Sequence, residues 1–562
     1  MSHTNVWTLA LLLAASSTAW AQTESQRLFA NDPEDFDAFG WCVDIVDDKA
    51  AVGSLGEDDA CPGDPLNCNS GVVYAYAREG DFWIESGRLT ASDAASGDQF
   101  GQDVSIWGNR IVVGAHQNGP GAVYVFHNIG LGWFQEQMLV GSDSLPTYHF
   151  GHSVSIVGQS ILVGTMRDQH AGFDSGSAFR FEFNGTSWVE TAKLTASNPQ
   201  VAARFGRAIA STEDWAIVGA PFMDQTGTDS GAVYTFIRDE NGTPSNRLDD
   251  LWPETQILTG SDTDDDDLFG RAIAIEGNTM VVTAALAEVG GVATGAAYVF
   301  EFQASTGTWV QVQKLSAADA DLDDQFGMCV EIDGDRMLIG ARRDDEAGDN
   351  AGAVYLFERP PGSVGAWLQT AKILATDPTT GAAMGDEMAV SLWGKTAFIG
   401  ARFSGSAGEL SGEAYVVDLE SDIGSDYCTV TPNSTGQIST VTANGSRLAA
   451  ANNLTLNAIQ LPTDQFGYFL ASTTDGFVGM PGNSLGNLCL SGSLGRYVSS
   501  IFNTGADGVA AQVVDTSAIP NASAIPSMAM PGDSFYFQAW HRDFVGGASV
   551  SNFTEPVEVT FL

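Results

Sequence analysis

One dipeptide recurs through the first three fifths of this chain, as Phe39-Gly40, Phe100-Gly101, Phe150-Gly151, Phe205-Gly206, Phe269-Gly270 and Phe326-Gly327. The copies lie 50 to 64 residues apart. A chain built this way folds as an array of small units, none of which buries its apolar face alone.

Each copy opens a stretch that alternates apolar and polar residues, such as Val104-Ser105-Ile106, the pattern of a half-buried strand. A Gly-containing turn leads to a second strand ending in Val113-Gly114-Ala115, Val218-Gly219-Ala220-Pro221 or Ile339-Gly340-Ala341. A third strand reads Gly121-Ala122-Val123-Tyr124-Val125-Phe126, with close copies at 231–236 and 352–357. A fourth often follows a tryptophan (Trp83, Trp133, Trp188, Trp309, Trp367) and ends in a segment like Leu89-Thr90-Ala91-Ser92-Asp93. Four strands per unit is the arithmetic of a propeller blade.

Counting predicts how the ring closes. Val390-Ser391-Leu392-Trp393-Gly394 matches Val104–Gly108 but lacks a Phe-Gly pair, and it reads as a degenerate seventh blade. That blade ends after its third strand, Gly412–Val417. The fourth-strand segment has a spare copy, Arg27–Asp32, ahead of the first Phe-Gly. The N-terminal strand therefore completes the last blade and hides its edge.

The Phe-Gly, Gly-Ala-Pro and Gly-Ala-Val-Tyr-Val-Phe elements over residues 27–417 resemble the FG-GAP repeat family, best known from the propeller of integrin α subunits. The plainer copies here are more similar to those of secreted bacterial proteins. The resemblance implies a ligand-binding or adhesive propeller; a fold does not by itself assign chemistry. Family members often carry an Asp-rich calcium loop between the first and second strands. Here those turns are short, as in Trp107-Gly108-Asn109 and Glu276-Gly277-Asn278, and supply too few oxygens for calcium.

Acidic residues instead crowd the fourth-to-first and second-to-third loops, which an up-and-down blade places on one face. Asp264, Asp265, Asp266, Asp267, Asp321, Asp323 and Asp324 lie in the former; Asp344, Asp345 and Asp349 lie in the latter. These are the candidate calcium ligands, and the face is expected to be strongly negative, either as a cation-bridged site or as a solvated rim.

The charge balance points the same way. Asp and Glu outnumber Lys and Arg 70 to 24, a net charge of -46, which disfavours nucleic acid and anionic lipid as partners. Val6–Ala15 is an apolar run followed by Ala19-Trp20-Ala21, the form of a secretory leader cleaved after Ala21. No later segment is long and apolar enough to be read as a membrane span. The expected location is extracellular or cell-surface, the expected state a monomer. In that oxidising setting Cys61–Cys68 and Cys428–Cys489 are the expected disulfides. Cys42 and Cys329 sit in equivalent slots of the first and sixth blades, too far apart to bridge, and read as buried thiols.

The expected organisation is a leader at 1–21, an all-β seven-bladed propeller at 22–421 and a small β-sandwich-like domain at 422–562. In the last domain, 535–540 and 557–561 alternate as strands, and Trp540-His541-Arg542-Asp543 gathers three polar side chains. Asp464-Gln465-Phe466-Gly467 copies a blade opening, but no blade elements follow it.

No phosphate loop or zinc-protease motif occurs. His149 and His152, with Asp143 near in sequence, form a sparse metal-type grouping. The reading is a non-catalytic binding or adhesion protein for an extracellular protein or polysaccharide, using an acidic face. The alternatives are a polysaccharide hydrolase or lyase using carboxylates of that face, and a structural surface or matrix component. Denatured but unreduced protein is expected to titrate two thiols, Cys42 and Cys329; finding none refutes the pairing.

Overall fold

The computed structural model describes residues 24–419 apart from 59–67, 81, 245, 360–366 and 377, together with Trp20–Ala21 and, with short gaps, 433–560. Its contacts divide the chain into two compact units that meet at Val417/Asp418.

The first unit is a seven-bladed propeller, each blade an antiparallel four-stranded sheet. The innermost strands are Phe39–Val46, Phe100–Trp107, Phe150–Val157, Ile209–Ser211, Ile273–Glu276, Phe326–Asp333 and Val390–Trp393. Blade 7 takes its outer strand from the N-terminus: Glu24–Leu28 pairs antiparallel with Glu413–Asp418. Trp20–Ala21 adds a short parallel strand outside Leu368–Ile373 of blade 6.

Among the described residues no hydrogen-bonded ladder joins the blades, so side chains, single backbone bonds such as Phe100 N–H to the Ser70 carbonyl, and close backbone contacts hold the ring. Each Phe of a Phe-Gly pair is buried and meets an aromatic of its own third strand edge-on, as in Phe39–Tyr74, Phe150–Phe179 and Phe326–Tyr355, with ring centres 5.4–5.5 Å apart. On the outside, a glutamine of one blade grips the backbone of the next blade's tryptophan. Gln137 Nε2 donates to the Trp188 carbonyl at 2.9 Å, and Trp188 N–H donates to Gln137 Oε1 at 2.8 Å. Gln26–Trp83, Gln256–Trp309 and Gln313–Trp367 repeat this clasp. Gln26 belongs to the N-terminal strand, so blade 7 clasps blade 1 as blades 2, 4 and 5 clasp their neighbours.

The seventh blade is less degenerate than its sequence suggests. Met384-Gly385 stands where the others have Phe-Gly, and Met384 forms the bridge to Gly352 that Phe269 forms to Gly231. Two extra residues then separate it from the strand, which is why the pair escapes a search at the usual spacing. Gly385 N–H donates to Gly400, and Gly400 N–H to Ala389, leaving Asp386, Glu387 and Met388 between them. In blade 4 a single residue, Arg207, lies between the equivalent Gly206 and Ala208.

Cys42 and Cys329 are free and buried, each donating to a glycine carbonyl of the next blade at 3.1 Å. Of the expected disulfides, Cys61 and Cys428 lie outside the described residues, while Cys68 and Cys489 are buried.

The second unit is β-rich. A three-stranded sheet (Thr440–Asn444, Thr455–Ile459, Ala510–Val513) and a larger one built on Phe466–Ser472 and Ser534–Val545 share one apolar core, including Leu456, Phe469, Phe537 and Val559. That is sandwich packing. Phe466 is 52% exposed, whereas the Phe of each propeller Phe-Gly pair is buried, so its Phe-Gly is not an eighth blade. His541 and Asp543 are buried on one face of their strand, whereas Arg542 is exposed on the other. The three do not converge.

Deleting residues 22–32 is expected to lower the melting temperature of the whole propeller, because it strips the outer strand and the Gln26 clasp together. Gly231→Ala should cost more than about 3 kcal/mol, since its Cβ falls 2.0 Å from the Phe269 carbonyl at a φ of +84°. Denaturant midpoints measure both, and an unchanged midpoint in either refutes the closure or the docking.

Candidate functional site at the axis of the ring

The seven inner strands enclose an axial cavity of about 770 Å³. An inner strand is paired on one side only, so its other row of N–H groups needs partners. Polar side chains supply them from blade to blade. Ser391 Oγ accepts from Ile45 N–H at 3.1 Å, Asp44 from Ile106 N–H at 2.6 Å, Ser105 from Ile156 N–H at 3.1 Å, and Asp103 from Val154 N–H at 2.7 Å. Ser155 and Ser211 bond each other at 2.8 Å. These carboxylates sit deep in the ring. Burial pushes Asp44 up to about 6 and Glu331 up to about 8.

At the loop-face end, ion pairs cross the axis. The insertion of blade 7 delivers Glu387 between Arg207 of blade 4 and Arg271 of blade 5, and both guanidiniums grip it with two bonds. Burial raises the Glu387 carboxyl, but the two arginines outweigh that and hold it well below the usual range. Beside it, buried Asp386 pairs with Arg402 at 2.5 Å and Arg342 at 3.3 Å. Arg402 lies over Trp41, its guanidinium carbon 3.9 Å from the ring centre.

Blades 2 to 4 add His116, His149, His152, Arg167 and Arg204. The His116 ring is 4.8 Å from that of His149 and 5.7 Å from that of His152. Burial, seconded by nearby cations, lowers His116 to about 3 and His149 to about 4, and lowers His152 strongly. Arg204 lies over Phe222 and makes no ion pair among the described residues. Around blades 1 and 7, Phe36, Trp41, Leu55, Phe403 and Leu410 line an apolar recess of about 220 Å³ edged by Asn69 and Gln99.

The centre of the loop face is thus basic and aromatic, so the strongly negative character expected from loop composition belongs to its rim. Arg167, Arg204, Arg207, Arg271, Arg342 and Arg402 are a quarter of the chain's 24 lysines and arginines, set against Asp386 and Glu387. Reading the residue after each Phe-Gly across the repeats (Trp41, Gln102, His152, Arg207, Arg271, Met328) would have exposed the column. Scanning for acidic clusters hid it.

The acidic residues occupy the rim and are engaged there. Asp267 and Asp324 are buried turn caps, accepting from the N–H of Asp264 at 2.8 Å and of Asp321 at 2.6 Å. Asp37 and Asp98 do the same in their blades. Asp265 accepts from Thr228 N–H at 2.7 Å, Asp345 from Asn350 N–H at 2.6 Å, and Asp349 from the Asn350 side chain at 2.8 Å. Asp323 pairs with Arg343, while Asp264 and Asp266 are exposed. Asp344 shares Lys372 with Asp319 and Glu346, at 2.7–2.8 Å, and accepts from the Tyr355 hydroxyl at 2.7 Å. The cation that gathers these carboxylates is the chain's own lysine. Among the described residues no group of three or more His, Cys, Asp or Glu is placed to hold a metal. Asp143, expected near His149 and His152, pairs instead with Lys193 at 2.6 Å, and His116 stands beside the two histidines.

Fold and site together define a seven-bladed propeller with a basic axial centre inside an acidic rim. The chain belongs to the FG-GAP repeat family, whose model matches residues 22–76, 83–126, 133–181, 188–236, 252–300, 309–357 and 367–417. Each match runs from the outer strand of one blade through the third strand of the next, the offset that ring closure requires. No curated protein matches the chain. Among solved structures it is similar to a Bacteroides fragilis protein provisionally called a 6-phosphogluconolactonase, at 10% identity and a TM-score of 0.40, covering 60% of this chain and 84% of that one. It is also similar to a functionally unknown protein from Desulfotomaculum acetoxidans, at 12% identity and a TM-score of 0.35, covering 58% and 84%. Likeness at this level carries no functional argument.

The sign of the histidine shifts sets a pH test. Their folded values lie below the unfolded value of about 6.5, so the unfolded chain takes up protons that the folded one refuses. The stability this represents is present above about pH 6.5 and lost as pH falls toward 4. His149→Gln/His152→Gln is expected to flatten the fall in melting temperature between pH 6.5 and 4.5; an unchanged slope refutes the assignment.

Proposed function

We propose that this protein is an exported, non-catalytic binding propeller that captures an acidic polysaccharide on the axial centre of its loop face. The observation that carries the reading is the concentration of guanidiniums and imidazoles at the axis of a chain whose net charge is -46. Beside them the recess around Trp41 and Phe36 offers flat apolar walls edged by amide side chains, a match for sugar rings. Arginine forks recognise carboxylate and sulfate groups in pairs of hydrogen bonds.

The acidic rim does not veto such a ligand. At about 0.15 M salt the screening length is about 8 Å, so rim charges are damped while contacts at the centre keep their strength. The leader-like run Val6–Ala15 with Ala19-Trp20-Ala21 supports export. Export in turn supports the Cys61–Cys68 and Cys428–Cys489 pairings.

The test is co-sedimentation of residues 22–562 with insoluble acidic and neutral polysaccharides. Acidic polymers are expected to retain the protein, and Trp41→Ala should weaken retention about tenfold, the scale of one lost aromatic contact. Equal retention by neutral polymers, or none by any, refutes the proposal.

A further inference from the structure

The histidine cluster asks what its ring nitrogens are for. His116, His149 and His152 are only 5–7% exposed, and the Nδ1 of each is buried with no hydrogen-bond partner. Arg167 Nε beside them makes no hydrogen bond, its nearest carboxylate oxygen being that of Asp174 at 4.0 Å. Buried polar atoms are nearly always bonded, so several at one place mark a site for a ligand. His116 Nε2 meets the Gln117 side chain at 3.2 Å.

Charge decides between the two ligand types that imidazoles bind. Arg167 stands near His116 and His149, Arg204 near His149, and Arg207 near His152. The carboxylate facing the cluster, Glu387, is held by Arg207 and Arg271, and Asp174 lies 4.0 Å from Arg167. A divalent metal placed here would face guanidiniums. An oxyanion would accept from them and from the imidazole N–H groups. The turn before the Phe-Gly pair places His149 and Arg204 here, with φ of +60° and +53°, values shared by Ala38, Gln99, Leu268, Gln325 and Ala383 at the same position of the other blades.

We propose that His116, His149, His152, Arg167 and Arg204 form a binding site for an oxyanion group, a sulfate or carboxylate carried by the ligand. This rests on the binding reading above and names the group that the axis grips. Binding draws protons onto the imidazoles, so it tightens as pH falls. Arg204, half-buried over Phe222, is the arm that reaches the bound group from the rim.

The test is thermal melting and calorimetry of residues 22–562 with sodium sulfate, sodium acetate and sodium chloride at matched ionic strength, at pH 7.5 and 5.5. Sulfate, acetate or both should raise the melting temperature beyond chloride, by more at pH 5.5, and the better of the two assigns the group. Arg204→Gln, away from the closely packed core, should weaken that binding at least tenfold while leaving the melting temperature in chloride unchanged. His149→Gln should reduce its pH dependence, since one of the three imidazoles that take up protons is gone. Salts that all act alike, an Arg204→Gln protein that binds as tightly as the parent, or micromolar zinc binding that these variants abolish, would each overturn the proposal. The two readings fail separately. Sulfate binding without polysaccharide capture leaves the site standing and sinks the function; capture undiminished in Arg204→Gln does the reverse.

Discussion

Everything in this propeller depends on how closely one blade's backbone approaches the next. At all seven junctions the glycine that opens a third strand lies against the carbonyl of the next blade's Phe, or of Met384. A Cβ there would fall 1.9–2.4 Å from that oxygen, inside any allowed contact. The glycine of each second strand except blade 5's faces the glycine of the next Phe-Gly in the same way; Thr283 replaces it there and sits 3.0 Å from the Cβ position of Gly327. The family's signature residues are therefore junction residues. Glycine permits the approach and the aromatic beside it fills the wedge between sheets.

That approach creates the axis. Seven sheets docked so tightly bring seven one-sided strands around one cavity, and their spare N–H groups demand acceptors. Asp44, Asp103, Ser105 and Ser391 meet the demand, which explains polar residues at the most interior positions of the molecule. The two-residue insertion of blade 7 can enter the axis because Gly385 and Gly400 keep the junction intact around it. Glu387 then reaches arginines two and three blades away, joining the ring through its centre as the N-terminal strand joins it at its edge.

Much of the large acidic excess resolves into roles once the partners of its carboxylates are named. Asp93, Asp262 and Asp344 receive the hydroxyls of Tyr124, Tyr298 and Tyr355, while Lys314 and Lys372 neutralise loop carboxylates and lie over the same tyrosine rings. Asp267 and Asp324 hold turns. A count of acidic residues on one face could not see this, because the lysine that serves Asp344 lies 28 positions away in sequence and in another strand.

The repeats, the four-stranded blades, their number, the borrowed N-terminal strand and the two free thiols were all legible in the sequence. Each follows from local periodicity or from counting copies, and periodicity is a property of neighbours along the chain. The axial centre was not legible. His116, His152, Arg207, Arg271 and Glu387 come from five blades and up to 271 positions apart, and no spacing rule joins them. Only closing the ring brings one residue from each repeat to the same point, so the chemistry of that point belongs to the tertiary structure.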